Sequence, residues 1–137
     1  MKAAVREKYV PPAYLQVKEF RKPVAKHGQL LIRVYATTVN RTDCAVLSGK
    51  PLIMRLFTGL TKPKSPVPGT DFAGQVEAVG RKVKQFRAGD KVWGFYDNGL
   101  ASQAEYLTVA ESGPVAIIPE GVSYEEAAAS GEGAHYA

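Results

Sequence analysis

Residues Pro68-Gly69-Thr70-Asp71-Phe72-Ala73-Gly74-Gln75-Val76-Glu77-Ala78-Val79-Gly80 decide the fold of this chain. From Phe72 to Val79 the run is rich in strand formers, and Gly74 and Gly80 mark a bulge or turn within and after it. Outward in both directions the pattern repeats in short pieces. Ala3 to Arg6, Leu15 to Phe20 and Gln29 to Val39 read as consecutive strands of an antiparallel sheet, and Lys91 to Tyr96, Ala104 to Val109 and Val115 to Ile118 read as further strands. Short strands at fairly regular spacing predict a mainly β fold, a closed or nearly closed barrel with a few short helices.

Two helices interrupt the strands. Asn40 is placed to cap a short helix over Arg41 to Ser48, ended by Gly49-Lys50-Pro51, and Ser123-Tyr124-Glu125-Glu126 followed by alanines opens a second. Leu52 to Leu60 carries apolar residues at a spacing that fits a short amphipathic helix, read as core or interface packing or as the lining of a substrate entrance. The start of the Arg41 helix offers backbone N–H groups and a partial positive charge, suited to a carbonyl oxygen or an anionic cofactor group as well as to ordinary capping.

The chain has 137 residues, 45% of them hydrophobic, which is enough for one core, so residues 1–137 are expected to form a single domain. The net charge of +5 is spread along the sequence, and the densest basic cluster, Arg81-Lys82-Val83-Lys84 with Arg87, falls in an expected turn. Without aromatic platforms or a reading helix, that cluster does not point to nucleic acid. Cys44 is the sole cysteine, so neither a disulfide framework nor a cysteine-rich zinc site forms within one copy, and a reducing, cytoplasmic compartment fits. No segment reads as an export signal or membrane span. No G-x-G-x-x-G fingerprint follows a strand, so this piece alone is expected to bind a nucleotide cofactor weakly.

In order, Asn40-Arg41-Thr42-Asp43, Pro68-Gly69-Thr70-Asp71-Phe72-Ala73-Gly74, Ala78-Val79-Gly80, Gly89-Asp90-Lys91-Val92-Trp93-Gly94, Ala104-Glu105-Tyr106 and Ile118-Pro119-Glu120-Gly121 closely resemble the N-terminal catalytic domain of the medium-chain dehydrogenase/reductase superfamily. This is the GroES-like, partly open barrel of alcohol dehydrogenases and quinone oxidoreductases. In zinc-dependent members, cysteine and histidine ligands occupy the positions of Asn40 and Thr70, and the third ligand falls near Gly131. The resemblance therefore implies no zinc here and a place in the zinc-independent, zeta-crystallin-like branch. Those enzymes use NADP(H) or NAD(H) to move a hydride to a quinone, enone or other activated carbonyl, a small-molecule substrate, and a homodimer is implied for the full-length protein.

Hydride transfer without a metal still needs the substrate oxygen polarised, and Thr42 and Asn40 are the candidate catalytic groups for that in this chain; carried over, the resemblance implies Thr42 at the place of a proton-relay hydroxyl, Arg41 and His135 as cofactor-binding, and Tyr96 and Asp43 at the substrate pocket. Asp43 is expected to orient its neighbours. Tyr96 would shape an apolar slot with Trp93 and Phe95, or pack as core. His135 could meet the nicotinamide or face solvent. Asp71 beside Asp43 reads as turn or barrel hydrogen bonding rather than a metal site. Cys44 reads as a small buried residue rather than a reactive thiol. The family's Rossmann cofactor domain and the return of the catalytic domain are expected outside this piece, so the isolated chain is expected not to turn over NADPH. Two other readings stand beside this one: a stand-alone GroES-like binding module, and a zinc-type alcohol dehydrogenase with atypical ligands.

Overall fold

A computed structural model of the chain describes residues 1–9, 11–50, 52–53, 55–56, 59–97 and 99–136, with side chains at 12 and 132–136 outside the description. The strands are β1 (Lys2–Val5), β2 (Gln16–Glu19), β3 (Gln29–Ala36), β4 (Asp71–Val79), β5 (Lys91–Phe95), β6 (Tyr106–Ala110) and β7 (Ala116–Ile117). The helices are α1 (Arg41–Ser48) and α2 (Tyr124–Tyr136), with a 3-10 turn at Pro12–Tyr14.

The strands fall into two open sheets rather than one closed barrel. Strands β1 and β2 form an antiparallel hairpin, and the other five are ordered β6-β3-β4-β5-β7. The expected pairing of β3 with the first two strands is therefore corrected. Strand β3 instead pairs with β4 on one side and β6 on the other, and Leu30, Leu31 and Ile32 are all buried, so both of its faces are covered there. Strand β2 is mostly exposed and serves as an edge. A bridge between Ala3 and Ala104, with Ala4 N–H donating to Gln103 O at 2.9 Å and Glu105 N–H to Lys2 O at 3.0 Å, ties the hairpin to the large sheet and leaves a partly open, mainly β fold.

The main core is Leu30, Ile32, Phe72, Val76, Val92, Leu107 and Val109. Phe72 is fully buried, and removing such a side chain from water contributes about 1.5–3 kcal/mol. A second cluster of Ala73, Ile118, Ala127 and Ala128 seats α2 on the sheet, and Tyr35 of β3 stacks on Tyr124 with ring centroids 4.7 Å apart. Small alanines let helix and sheet approach closely. Burial, and secondarily Tyr35, raises the Tyr124 phenol above its ordinary pKa.

Helix α1 has the expected limits. Asn40 caps it, and Gly49 closes it at φ 62°, a left-handed position that glycine adopts without strain. The described residues of the apolar stretch after it do not enter the core. Leu52, Ile53, Leu56 and Leu60 are exposed, so core packing is not seen for these four, while Met54 and Phe57 lie outside the described residues. Cys44 is also exposed, not buried, because α1 turns Val46 and Leu47 inward and the cysteine outward. Among the described residues no helix is long and apolar enough to cross a membrane.

Candidate functional site

The site is made where β3 ends and β4 begins. Ala36 is opposite Ala73, and this register sets Thr37, Thr38 and the Asn40 cap beside Asp71 at the start of β4. Asp71 is 1% exposed, and its carboxylate is enclosed by donors. Thr38 N–H donates to Oδ1 at 2.7 Å, the Thr38 hydroxyl donates to Oδ2, and Asn40 Nδ2 donates to Oδ2 at 3.0 Å. The Thr37 hydroxyl donates to Asp71 O at 2.8 Å and lies 3.1 Å from Ser102 Oγ, which is itself buried. Dense donation of this kind holds a buried carboxylate with neutral partners and no cation.

Asn40 joins this network to the helix. Its Oδ1 accepts from Asp43 N at 2.8 Å while its own N–H donates to Asp43 Oδ2 at 3.2 Å, a reciprocal capping box. Asn40 Nδ2 also donates to Thr70 Oγ1 at 2.7 Å, and Thr70 in turn donates to Asp43 Oδ1 at 3.3 Å. Both hydrogens of the Asn40 amide are thus committed, one to Thr70 and one to Asp71. The amide can donate to a substrate oxygen only by releasing one of them. Gly69 makes the close packing possible: at φ 109°, a Cβ there would stand 2.2 Å from Ser102 Oγ.

Asn40, Thr42 and Asp43 are brought together at the start of α1. Asp43 is 3% exposed and lies beneath the rim, while Thr42 is half-buried in the first turn and Arg41 is exposed beside it. Tyr96 follows β5, is 46% exposed, and its N–H donates to Thr70 O at 2.7 Å, which places its backbone next to the same turn. Trp93 and Phe95 line a different hollow, a groove of about 420 Å³ with Pro114, Val115 and Gly131, so Tyr96 does not share a slot with them. His135 belongs to the last turn of α2, and its side chain lies outside the described residues.

Thr37, Thr38, Thr70 and Ser102 complete the network and were not picked out as site residues by sequence reasoning. The adjacent threonines just before the cap are the one local signal that could have found them. Ser102 carries none, being 65 residues from Thr37.

The three positions that the resemblance assigns to zinc ligands in zinc-dependent members do converge. A Cβ on Gly131 would lie 3.6 Å from Asp71 Cβ, next to the Asn40–Thr70 pair. The donor set, however, is an amide, a hydroxyl and a glycine, which does not fit the His, Cys or carboxylate ligands that zinc takes. Among the described residues no group of three or more His, Cys, Asp or Glu side chains could hold a metal ion.

Comparison with known proteins fits this geometry. The family described as alcohol dehydrogenase GroES-like domain matches residues 26–120. The chain is 39% identical over 111 residues to the quinone oxidoreductase of Sus scrofa, covering 80% of this chain and 30% of that protein. It is 34% identical over 155 residues to the alcohol dehydrogenase of Geobacillus stearothermophilus, covering 93% of this chain and 43% of that protein. Among solved structures, the Escherichia coli quinone oxidoreductase complexed with NADPH superposes with a TM-score of 0.73 at 27% identity, over 95% of this chain and 37% of that one. The chain therefore spans less than half the length of these relatives. With its two open sheets, its capped helix at the β3–β4 junction and this match over residues 26–120, the chain belongs to the alcohol dehydrogenase GroES-like domain family, among relatives that are quinone oxidoreductases and alcohol dehydrogenases.

Proposed function

We propose that this chain is the substrate-facing catalytic domain of a zinc-independent NAD(P)H-dependent oxidoreductase acting on a quinone, enone or other activated carbonyl. What supports the reading is the hydrogen-bonded Asn40–Thr70–Asp71 set at the strand–helix junction, where the resemblance places metal ligands in zinc-dependent members. Asn40, Thr70 and Asp71 hold one another, so the turn is rigid without an ion. A bound nicotinamide supplies the hydride. Electrons arriving at the substrate carbon build charge on its oxygen, and a pre-set donor is needed there.

Thr42 is the hydroxyl for that task. It lies at the second helical position, two residues after the Asn40 cap, and the amide commitments of Asn40 make the asparagine a positioning residue that fixes the first turn of α1. Asp43 does the same from below through Asn40 N and Thr70. Arg41, exposed at the first helical position, would pair with the cofactor's pyrophosphate, and His135 would sit by the nicotinamide. Tyr96 supplies an exposed aromatic wall for a flat substrate. The rest of the cofactor grip lies outside these residues, so the 137-residue chain by itself does not turn over NADPH, and the complete protein is a homodimer in the cytoplasm.

The test is steady-state NADPH oxidation with a quinone by this chain joined to a cofactor domain, wild type against Thr42→Val. The reading expects kcat to fall by about 100-fold, the order of one lost oxyanion donor, in a protein that still unfolds cooperatively in urea. A folded Thr42→Val protein with wild-type kcat would refute the role given to Thr42.

A further inference from the structure

Arg6 follows β1 and is 4% exposed. Its backbone N–H donates to Pro66 O at 2.9 Å, and Val67 packs with Ala3 and Val5, so this end of the hairpin is joined to the loop that leads into Thr70. The side chain crosses to α1, where Nη1 donates to Val46 O. That carbonyl is one of the last-turn acceptors a helix cannot satisfy internally: Lys50 N–H, which would reach it in a longer helix, donates to Ala45 O at 3.3 Å instead. Arg55 serves the same helix end, its Nε donating to Gly49 O at 3.3 Å. The Tyr9 ring lies near both, its centroid 5.5 Å from Arg6 Cζ and 4.7 Å from Arg55 Cζ. Two cations thus meet the negative end of the helix dipole.

A helix of eight residues is marginal by itself, so what its ends and buried side chains touch decides where it sits. The first turn of α1 carries the Asn40, Thr42 and Asp43 group, and the last turn carries the acceptor of Arg6. We propose that Arg6 is a positioning residue for that group: by holding the last turn of α1 against β1 and the loop into Thr70, it sets the first turn over Thr70. Burial lowers the Arg6 pKa, and Tyr9 and then Asp43 act in the opposite sense, so the Asp43 charge reaches the guanidinium as well. Arg6 Nε is buried with no hydrogen-bond partner among the described residues, a cost that a methionine of similar length would avoid. What the arginine adds over such a filler is the bond to Val46 O and the charge. The kinetic part of this inference rests on the role given to Thr42; the geometric part does not.

The experiment is amide hydrogen exchange, read by NMR on the ¹⁵N-labelled 137-residue chain. The reporters are Asp43 N–H, bonded to Asn40 Oδ1, and Cys44 N–H, bonded to Asn40 O, with Val76 N–H in β4 as the control for global opening. Arg6→Met should speed exchange at Asp43 and Cys44 by about tenfold relative to Val76, and Arg6→Lys, which keeps the charge and one donor, by about threefold. In the chain joined to a cofactor domain, Arg6→Met should lower kcat by about tenfold with KM for the quinone unchanged, and Arg6→Lys should recover part of that loss. Exchange at Asp43 that does not rise in either variant, or that rises only in step with Val76, would overturn the proposal. Selective exchange with wild-type kcat, in a protein that Thr42→Val impairs, would overturn the positioning role. If Thr42→Val is itself silent, the reading of the site fails and the exchange result alone decides this inference.

Discussion

Asp71→Asn changes one oxygen to an amine and barely alters shape, so it isolates what the buried carboxylate does. Whichever way the new amide turns, its NH₂ meets an obligate donor. On the Oδ1 side it faces Thr38 N–H, now 2.7 Å from an acceptor, and on the Oδ2 side it faces Asn40 Nδ2 at 3.0 Å. The Thr38 hydroxyl can rotate to accept, but the two N–H groups cannot. One buried donor is therefore orphaned at about 1–3 kcal/mol, and the surviving bonds weaken from charge-assisted to neutral, for a total of about 2–4 kcal/mol. With a urea m-value of about 1–3 kcal/mol per molar for a domain of this size, the midpoint should drop by about 1–2 M at constant m. The assay is equilibrium urea unfolding followed by Trp93 fluorescence, with Asp90→Asn, whose carboxylate serves an exposed turn at Arg87, as the control. A midpoint for Asp71→Asn within experimental error of wild type, with the control also unchanged, would show that the donors around Asp71 do not hold the junction.

Two further predictions concern the other cap and the cofactor. Glu126 is held below its ordinary pKa first by the Ser123 backbone N–H and then by the Ser123 side chain, so its contribution is present above the ordinary glutamate value of 4.5 and is lost as pH falls through the lowered folded value; Glu126→Gln should flatten the dependence of Tm on pH below that value, and an unchanged slope would contradict the cap. NADPH titrated into the 137-residue chain should leave Trp93 fluorescence without a saturable change, since that residue packs on Ala73 and Ile118 beside α2; saturable quenching would reveal a nucleotide grip within these residues.

Helix α1 was legible in the sequence because its signals are local: a cap, a short apolar pair and a terminal glycine within ten residues. The strands were legible too, but their partners were not. Both β2 and β3 read as strands, yet that β3 is interior shows only in its pairing with β4 on one side and with β6, some 75 residues later, on the other. The same distance hides the network at the site. Asn40 and Asp43 stood out from their spacing, whereas the bonds of Asn40 to Thr70 and of Thr37 to Ser102 exist only because β3, β4 and the loop before β6 converge. Cys44 was misread for a related reason: composition gives apolar character but not the direction a short helix faces, and in the same way it did not show that Leu52, Ile53, Leu56 and Leu60 lie outside the core.

The central claim is that this domain supports hydride transfer without zinc, and it is tested most directly by joining the chain to the cofactor domain of the Escherichia coli quinone oxidoreductase and measuring NADPH oxidation with a quinone before and after exhaustive chelation. The account predicts turnover that chelation leaves intact and added zinc does not raise; turnover lost on chelation and restored by zinc would contradict it.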